Sequence, residues 1–141
     1  MARPPVGSCL VEEIDHWSRA GIEIVVSLLE REEVEDLELG SVPSLCGKHG
    51  IQFVSFPIPD QGIPVDTDYA MRFAAGIVST GRNTAIHCQE GIGRSSLIAA
   101  GILVCRGFEP SAAISAIEKA RKLPIPDTDE QREWVMNLKR N

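Results

Sequence analysis

The sequence predicts an α/β fold: a single three-layer domain with a central, mostly parallel sheet flanked by helices. Three observations lead there. Short β-branched or aromatic runs at 22–28 (IEIVVSL), 51–56 (IQFVSF) and 84–88 (TAIHC) alternate with helical patterns. Strands separated by helices pair in parallel and need cover on both faces. The stretch 95–105 (SSLIAAGILVC) is apolar nearly all round, as a buried helix must be. Finally, 141 residues with 43% hydrophobic and 24% charged content suit one domain spanning residues 1–141.

The elements follow in order. Leu10, Ile14 and Trp17 share one helical face, with Gly21 as a C-terminal stop. The first strand is 22–28. Residues 30–39 form an acidic helix ending at Gly40, whose carboxylates read as a solvated face. A short helix at 42–49 stops at Gly50, and 51–56 is the second strand. Pro57, Pro59, Gly62 and Pro64 make the next segment a stiff loop. Ala70, Phe73, Ala74 and Ile77 stripe an amphipathic helix over 66–80. A strand at 84–88 precedes the buried helix. Ala113, Ile114 and Ile117 mark a helix begun by Pro110 or Ser111, and Thr128-x-x-Gln131 has the form of a capping box opening the last one.

Composition excludes several function classes. The net charge is −6, and residues 1–41 alone carry −7 from ten acids and three bases. An acidic chain without a basic run is not built for nucleic acid or an anionic membrane. No apolar run approaches the roughly 18 residues of a membrane span. The start of the chain lacks the apolar core of a secretory signal, so a cytoplasmic monomer is expected. Cys9, Cys46, Cys88 and Cys105 show neither CxxC spacing nor paired histidines, which argues against a zinc site or a disulfide framework.

The chemistry is concentrated at 87–96, HCQEGIGRSS. A cysteine leaves a strand, a loop with two glycines follows, and a buried helix begins at Arg94. Ligands of parallel sheets bind at the C-terminal strand ends. Here about five or six backbone N–H groups surround one point at the positive end of a helix, a cradle for a tetrahedral anion. Gly91 and Gly93 permit the curvature and unusual dihedrals. Cys88 on the cradle floor is pushed toward thiolate by the N–H groups, the helix dipole and Arg94. The planar fork of Arg94 can grip two phosphoryl oxygens. Together they describe cysteine attack on phosphorus.

This string resembles the signature of cysteine-based protein tyrosine phosphatases, especially their compact dual-specificity-like members. The segments 57–64 (PIPDQGIP) and 125–135 (IPDTDEQREWV) are similar too. The resemblance implies the protein-tyrosine-phosphatase-like fold, a phosphocysteine intermediate, and neither metal nor cofactor. It makes Cys88 the nucleophile and Arg94 the phosphate clamp. The backbone of Gln89, Glu90, Gly91, Ile92 and Gly93 would hold the phosphate. Ser95 would steady the thiolate and assist the second step, and His87 would orient the cysteine from behind. Asp60, 28 residues before Cys88 and after another strand, is the expected general acid, while Asp66 and Asp68 read as caps of the following helix. Gln131 would either orient the attacking water or only cap its helix.

Some positions depart from the family pattern. Ser96 stands where many members have glycine. Glu90 sets a carboxylate on the rim, and the loop holds no lysine, which speaks against polyanionic lipid or inositol substrates. The opening strand expected of the family has only 1–4 or 6–10 to form it. The expected substrate is a phosphorylated protein or peptide, phosphotyrosine first and phosphoserine or phosphothreonine also in reach. The alternatives are a phosphopeptide-binding module without turnover, a phosphatase of non-protein esters, and a sulfur-transfer or arsenate-reducing enzyme.

Overall fold

The computed structural model describes residues 1–5 and 8–139. Ten elements run in the order α1 (Ser8–Arg19), β1 (Ile24–Ser27), α2 (Arg31–Asp36), α3 (Val42–Lys48), β2 (Gln52–Ser55), α4 (Thr67–Thr80), β3 (Thr84–His87), α5 (Arg94–Cys105), α6 (Pro110–Arg121) and α7 (Asp129–Met136). The strands form one parallel sheet in the order β2-β1-β3. The predicted α/β class and three-layer arrangement are therefore present.

Alternation along β1 creates two cores. Ile24, Val26 and Leu28 face a cluster that includes Leu97, Ile98 and Val104 of α5 and Met71 of α4. Val25 and Leu29 face the other cluster, built on Leu10, Ile14 and Trp17 of α1 with Val42 and Cys46 of α3. Burial of each such side chain contributes roughly 1.5–3 kcal/mol. Both faces of the central strand are thus dry, which is why 22–28 reads as continuous rather than alternating hydrophobicity.

The strands are shorter than the apolar runs that predict them, for a local reason. The Ile22 amide donates to the Trp17 carbonyl and closes the end of α1, so it is spent before the ladder begins. The acidic helix is also shorter than 30–39. Glu30 and Glu33 form a capping box at its start, and the chain already turns at Glu38, with φ +56°, before reaching Gly40. No opening strand forms in 1–5, residues 6 and 7 lie outside the described part, and Ser8–Leu10 belong to α1. Instead the Met1 amino group donates to Ile86 O at 2.6 Å, and the Arg3 amide donates to Gln89 O at 3.0 Å. The helix-start predictions hold at both caps. Asp66 Oδ1 accepts from the Tyr69 amide at 3.0 Å, and Thr128 Oγ1 accepts from the Gln131 amide at 3.1 Å.

Register positions the function. Ser55, Ser27 and His87, the last residues of the three strands, lie side by side in one row. The segments that follow them, starting at Leu28, Phe56 and Cys88, therefore leave the sheet at one edge.

The buried helix packs closely on α4 at Gly101, where an added Cβ would stand 3.4 Å from Met71 Sδ and 3.6 Å from Ala74 Cβ. One methyl group fits there and a larger side chain does not. Gly101→Ala should leave stability unchanged or raise it by up to about 1 kcal/mol through helix propensity. Gly101→Leu should lower it by about 1–3 kcal/mol through overpacking. Urea unfolding of both variants checks this, and equal stability of the two would contradict the packing described.

Candidate functional site

The loop after β3 wraps the Cys88 sulfur. The Gly91 amide donates to Cys88 Sγ at 3.2 Å, and Ser95 Oγ donates to it at 3.1 Å from the first turn of α5. Gly91 has φ +75°, and a Cβ there would lie 2.6 Å from Met1 O and 2.7 Å from Ala2 N. Both the backbone conformation and the passing chain thus require glycine. Gly93 differs from the sequence expectation: its φ is −80°. It is small for another reason, since a Cβ there would sit 3.0 Å from Gln131 Oε1 and 3.3 Å from Asp127 Cβ. The loop needs a positive φ at Gly91 and a close approach at Gly93.

Arg94 opens α5 but its guanidinium is turned into the protein, with the residue only 2% exposed. Its Nη1 donates to Ile58 O at 3.0 Å, to Leu28 O at 3.4 Å and to Glu33 Oε1 at 2.7 Å. Its Nη2 donates to Glu33 Oε2 at 2.9 Å and lies 3.3 Å from Asp60 Oδ1. Gln89 Nε2 adds a 2.7 Å bond to Glu33 Oε2. Burial works against the cation, yet the Glu33 bonds and charge hold Arg94 above its ordinary pKa. Burial likewise pushes the Glu33 carboxyl up, but donors from Arg94, Gln89 and the Glu30 amide outweigh it and hold Glu33 at about 2. A bidentate, charge-assisted pair of this kind fixes the plane of the guanidinium.

Glu33 is the residue that the sequence reading missed. A solvated face was expected for the acids of 30–39, and Glu33 contradicts it: its side chain is 13% exposed and bonded to a buried arginine. A signal was present. Glu33 stands in the first turn after a strand's C-terminal end, the edge at which parallel sheets place their sites.

His87 is buried, and desolvation pushes its imidazole down to about 4. Nδ1 is 3.4 Å from the Cys88 carbonyl, which can only accept, so the proton of the neutral ring sits on Nδ1. The histidine thus supports the residue before the loop rather than facing the cleft. Gln131 is fully buried. Its Oε1 accepts from the Asp127 and Thr128 amides at 3.1 and 3.3 Å, and Nε2 donates to Gly62 O at 3.0 Å. The capping box is therefore real, and the same amide ties α7 to the loop that carries Asp60.

One cleft collects most of the predicted residues. Cys88, Gln89, Glu90, Gly93 and Arg94 line its floor and one wall, with Asp60, Gln61, Asp127 and Gln131 around them. Gly91, Ile92 and Ser95 do not line it. Gly91 and Ser95 reach the sulfur through their donors, and Ile92 packs against the larger core cluster. Asp66 and Asp68 stay at the start of α4 and line none of it. Cys105 was expected in the core and is half-buried, its Sγ 3.9 Å from Met71 O. Cys46 is buried, which pushes its thiol up to about 11. Among the described residues no group of three His, Cys, Asp or Glu side chains could hold a metal ion, and no helix is long and apolar enough to cross a membrane.

Known proteins resemble this chain in sequence and in fold. A family profile described as "Tc-R-P: Polymorphic toxin system, DSP-PTPase phosphatase" matches residues 1–108. Cyclin-dependent kinase inhibitor 3 of Rattus norvegicus is 29% identical over 128 residues, and its counterpart from Sus scrofa is 28% identical. The match covers 88% of the chain and only 60% of the length of either curated relative. Among solved structures, kinase associated phosphatase with its catalytic-site cysteine replaced by serine superposes with a TM-score of 0.82 at 23% identity, covering 95% of this chain and 80% of that one. Tk-PTP in its active form gives 0.73 at 27% identity, covering 94% and 85%. TpbA of P. aeruginosa in complex with pTyr gives 0.67 at 16%, covering 96% and 76%.

The Arg94–Glu33 pair makes a pH-dependent contribution to stability. The Glu33 carboxyl falls from its ordinary 4.5 to about 2 on folding. Its contribution is therefore complete above about pH 5 and is lost as the pH drops toward 2. Glu33→Gln should cost on the order of 3 kcal/mol at pH 7 and less than half of that at pH 3. Denaturant unfolding at the two pH values measures the gap. A gap of equal size at both would show that the charge of Glu33 contributes nothing.

Proposed function

Since the chain belongs to the DSP-PTPase phosphatase family, we propose that it is a metal-independent protein phosphatase. It removes phosphate from phosphotyrosine, with phosphoserine and phosphothreonine also within reach, through a phosphocysteine intermediate. The observation that carries this reading is the Cys88 sulfur, held by the Gly91 amide and the Ser95 hydroxyl on the floor of the cleft that Arg94 and Asp60 share. The phosphotyrosine complex of TpbA supports the choice of ester. The chain has no insertion like the tyrosine-bearing recognition loop of larger tyrosine-specific phosphatases, which keeps the alkyl esters in play.

The steps follow from the groups present. The phosphoryl oxygens take backbone N–H groups of the loop between Cys88 and Arg94 and the guanidinium of Arg94. The Cys88 thiolate attacks phosphorus in line with the ester oxygen. The S–P bond forms, the P–O bond breaks, and Asp60 gives the leaving oxygen its proton. Water then attacks the phosphocysteine, Asp60 takes the proton from it, and the sulfur leaves toward the Ser95 hydroxyl. Gln131 holds the Asp60 loop through Gly62 in both steps. Glu33 acts through Arg94: by fixing one edge of the fork it keeps the guanidinium aimed and charged.

The test is hydrolysis of an aryl phosphate and of a phosphotyrosine peptide in the presence of a metal chelator. Turnover should persist with chelator and stop with vanadate. Cys88→Ser should abolish turnover and retain phosphopeptide binding. Arg94→Lys should lose at least roughly 100-fold, because a single positioned anion donor is worth about 2.7–4 kcal/mol in the transition state. Full activity of Cys88→Ser would refute the nucleophile, and chelator-sensitive turnover would refute the metal-free reaction.

Asp60 and the helix caps have separate expected outcomes. General acid catalysis is worth typically 10²–10⁴-fold. Asp60→Asn should therefore slow an alkyl or phenyl phosphate strongly and an ester with a good leaving group far less, and should remove the basic limb of the rate profile. Asp66→Asn and Asp68→Asn should leave that limb in place. The reverse pattern would move the acid from Asp60 to the start of α4.

A further inference from the structure

The cleft carries a cation, Arg94, at its base and carboxylates at its mouth. Its floor offers backbone N–H groups and Arg94. Its mouth carries the carboxylates of Asp60, Glu90 and Asp127, all three exposed. Arg94 is the sole cation lining the cleft among the described residues, and its charge is opposed at both terminal nitrogens by Glu33, with Asp60 beside Nη2. Asp129 and Glu130, in the first turn of α7 just after Asp127, add the same sign. Arg132 of the same helix carries the opposite sign and does not line the cleft. Arg3 meets Gln89 through its backbone amide and does not line the cleft, and exposed Arg31 is paired with Glu35.

A phosphoryl group satisfies the floor, but whatever flanks it must pass the mouth. Acidic neighbours or further phosphates meet like charge there, and basic ones meet opposite charge. We propose that this cleft selects phosphorylated segments whose neighbouring residues are Lys or Arg, and rejects acidic phosphopeptides and polyphosphates. The inference rests on the phosphatase reading above and adds the chemistry of its substrate. Such pairs are exposed and individually weak, so the selection comes from several together, acts largely on encounter, and is screened by salt.

The experiment compares three phosphotyrosine peptides of equal length, flanked by Lys/Arg, by Ala or by Glu. The rate kcat/KM is measured at about 0.02 M and about 0.5 M salt, where the screening length falls from roughly 20 Å to a few ångströms. Basic flanks should be preferred over acidic ones by about tenfold at low salt, with Ala between, and the ratio should shrink toward one at high salt. In the double variant Glu90→Lys, Asp127→Lys the low-salt order should invert. In Glu90→Gln, Asp127→Asn it should flatten. The ratio is taken within each variant, so a change in turnover common to all peptides cancels.

Equal rates on the three peptides would overturn the inference and leave the phosphatase reading standing. So would a basic preference that neither double variant alters, since the mouth would not be its source. Turnover of an aryl phosphate with none of any peptide would overturn the protein-phosphatase reading, and the inference with it.

Discussion

A guanidinium buried at 2% exposure is the constraint around which the remaining parts are arranged. A lone buried cation is strongly unfavourable, so Arg94 must be met by acceptors in fixed positions. They come from three places in the chain. Leu28 supplies a carbonyl just past β1, Ile58 another past β2, and Glu33 both carboxylate oxygens from the first turn of α2. All can converge only if the strands end level, as the parallel register at Ser27, Ser55 and His87 makes them do. At that edge, in the short capped helix α2, Glu33 serves twice. One oxygen, Oε1, accepts from the Glu30 amide to close the helix start while also taking Arg94 Nη1.

The same arrangement explains why the Cys88 sulfur is nearly inaccessible. Cys88 is 3% exposed, with Gly91 and Ser95 donating to it and α5 behind it. Reagents reach it through the cleft or not at all. Cys9, by contrast, is exposed on α1.

Much of this was legible in the sequence, and the illegible part has a common cause. Strand and helix identities came from periodicity, Cys88, Arg94 and Ser95 from one local motif, and Asp60 from the resemblance of the 57–64 loop. Those signals survive because neighbouring residues determine them. Glu33 and the dual place of Gln131 depend on what the fold brings together across the chain. A glutamate among glutamates carries no periodic mark of its partner, and a capping box hides the second use of its glutamine, the bond to Gly62. Element ends differ from the prediction where a local bond or turn takes the backbone first. Ile22 closes α1 rather than joining the sheet, and Glu38 turns the chain before Gly40 is reached.

The long reach of these bonds has a consequence for how the protein comes into being. Glu33 and Arg94 are 61 residues apart, and Gln131 is 69 from Gly62. Central β1 is made first and its two neighbours much later, so a growing chain on the ribosome exposes an apolar strand long before either edge partner is complete. The carboxylate of Glu33 meanwhile stands in water with no cation to meet. Nonlocal closure of this kind slows folding and lengthens the exposure of unpaired strands. Synthesis must pass β3 before the sheet is whole and α7 before the cleft is.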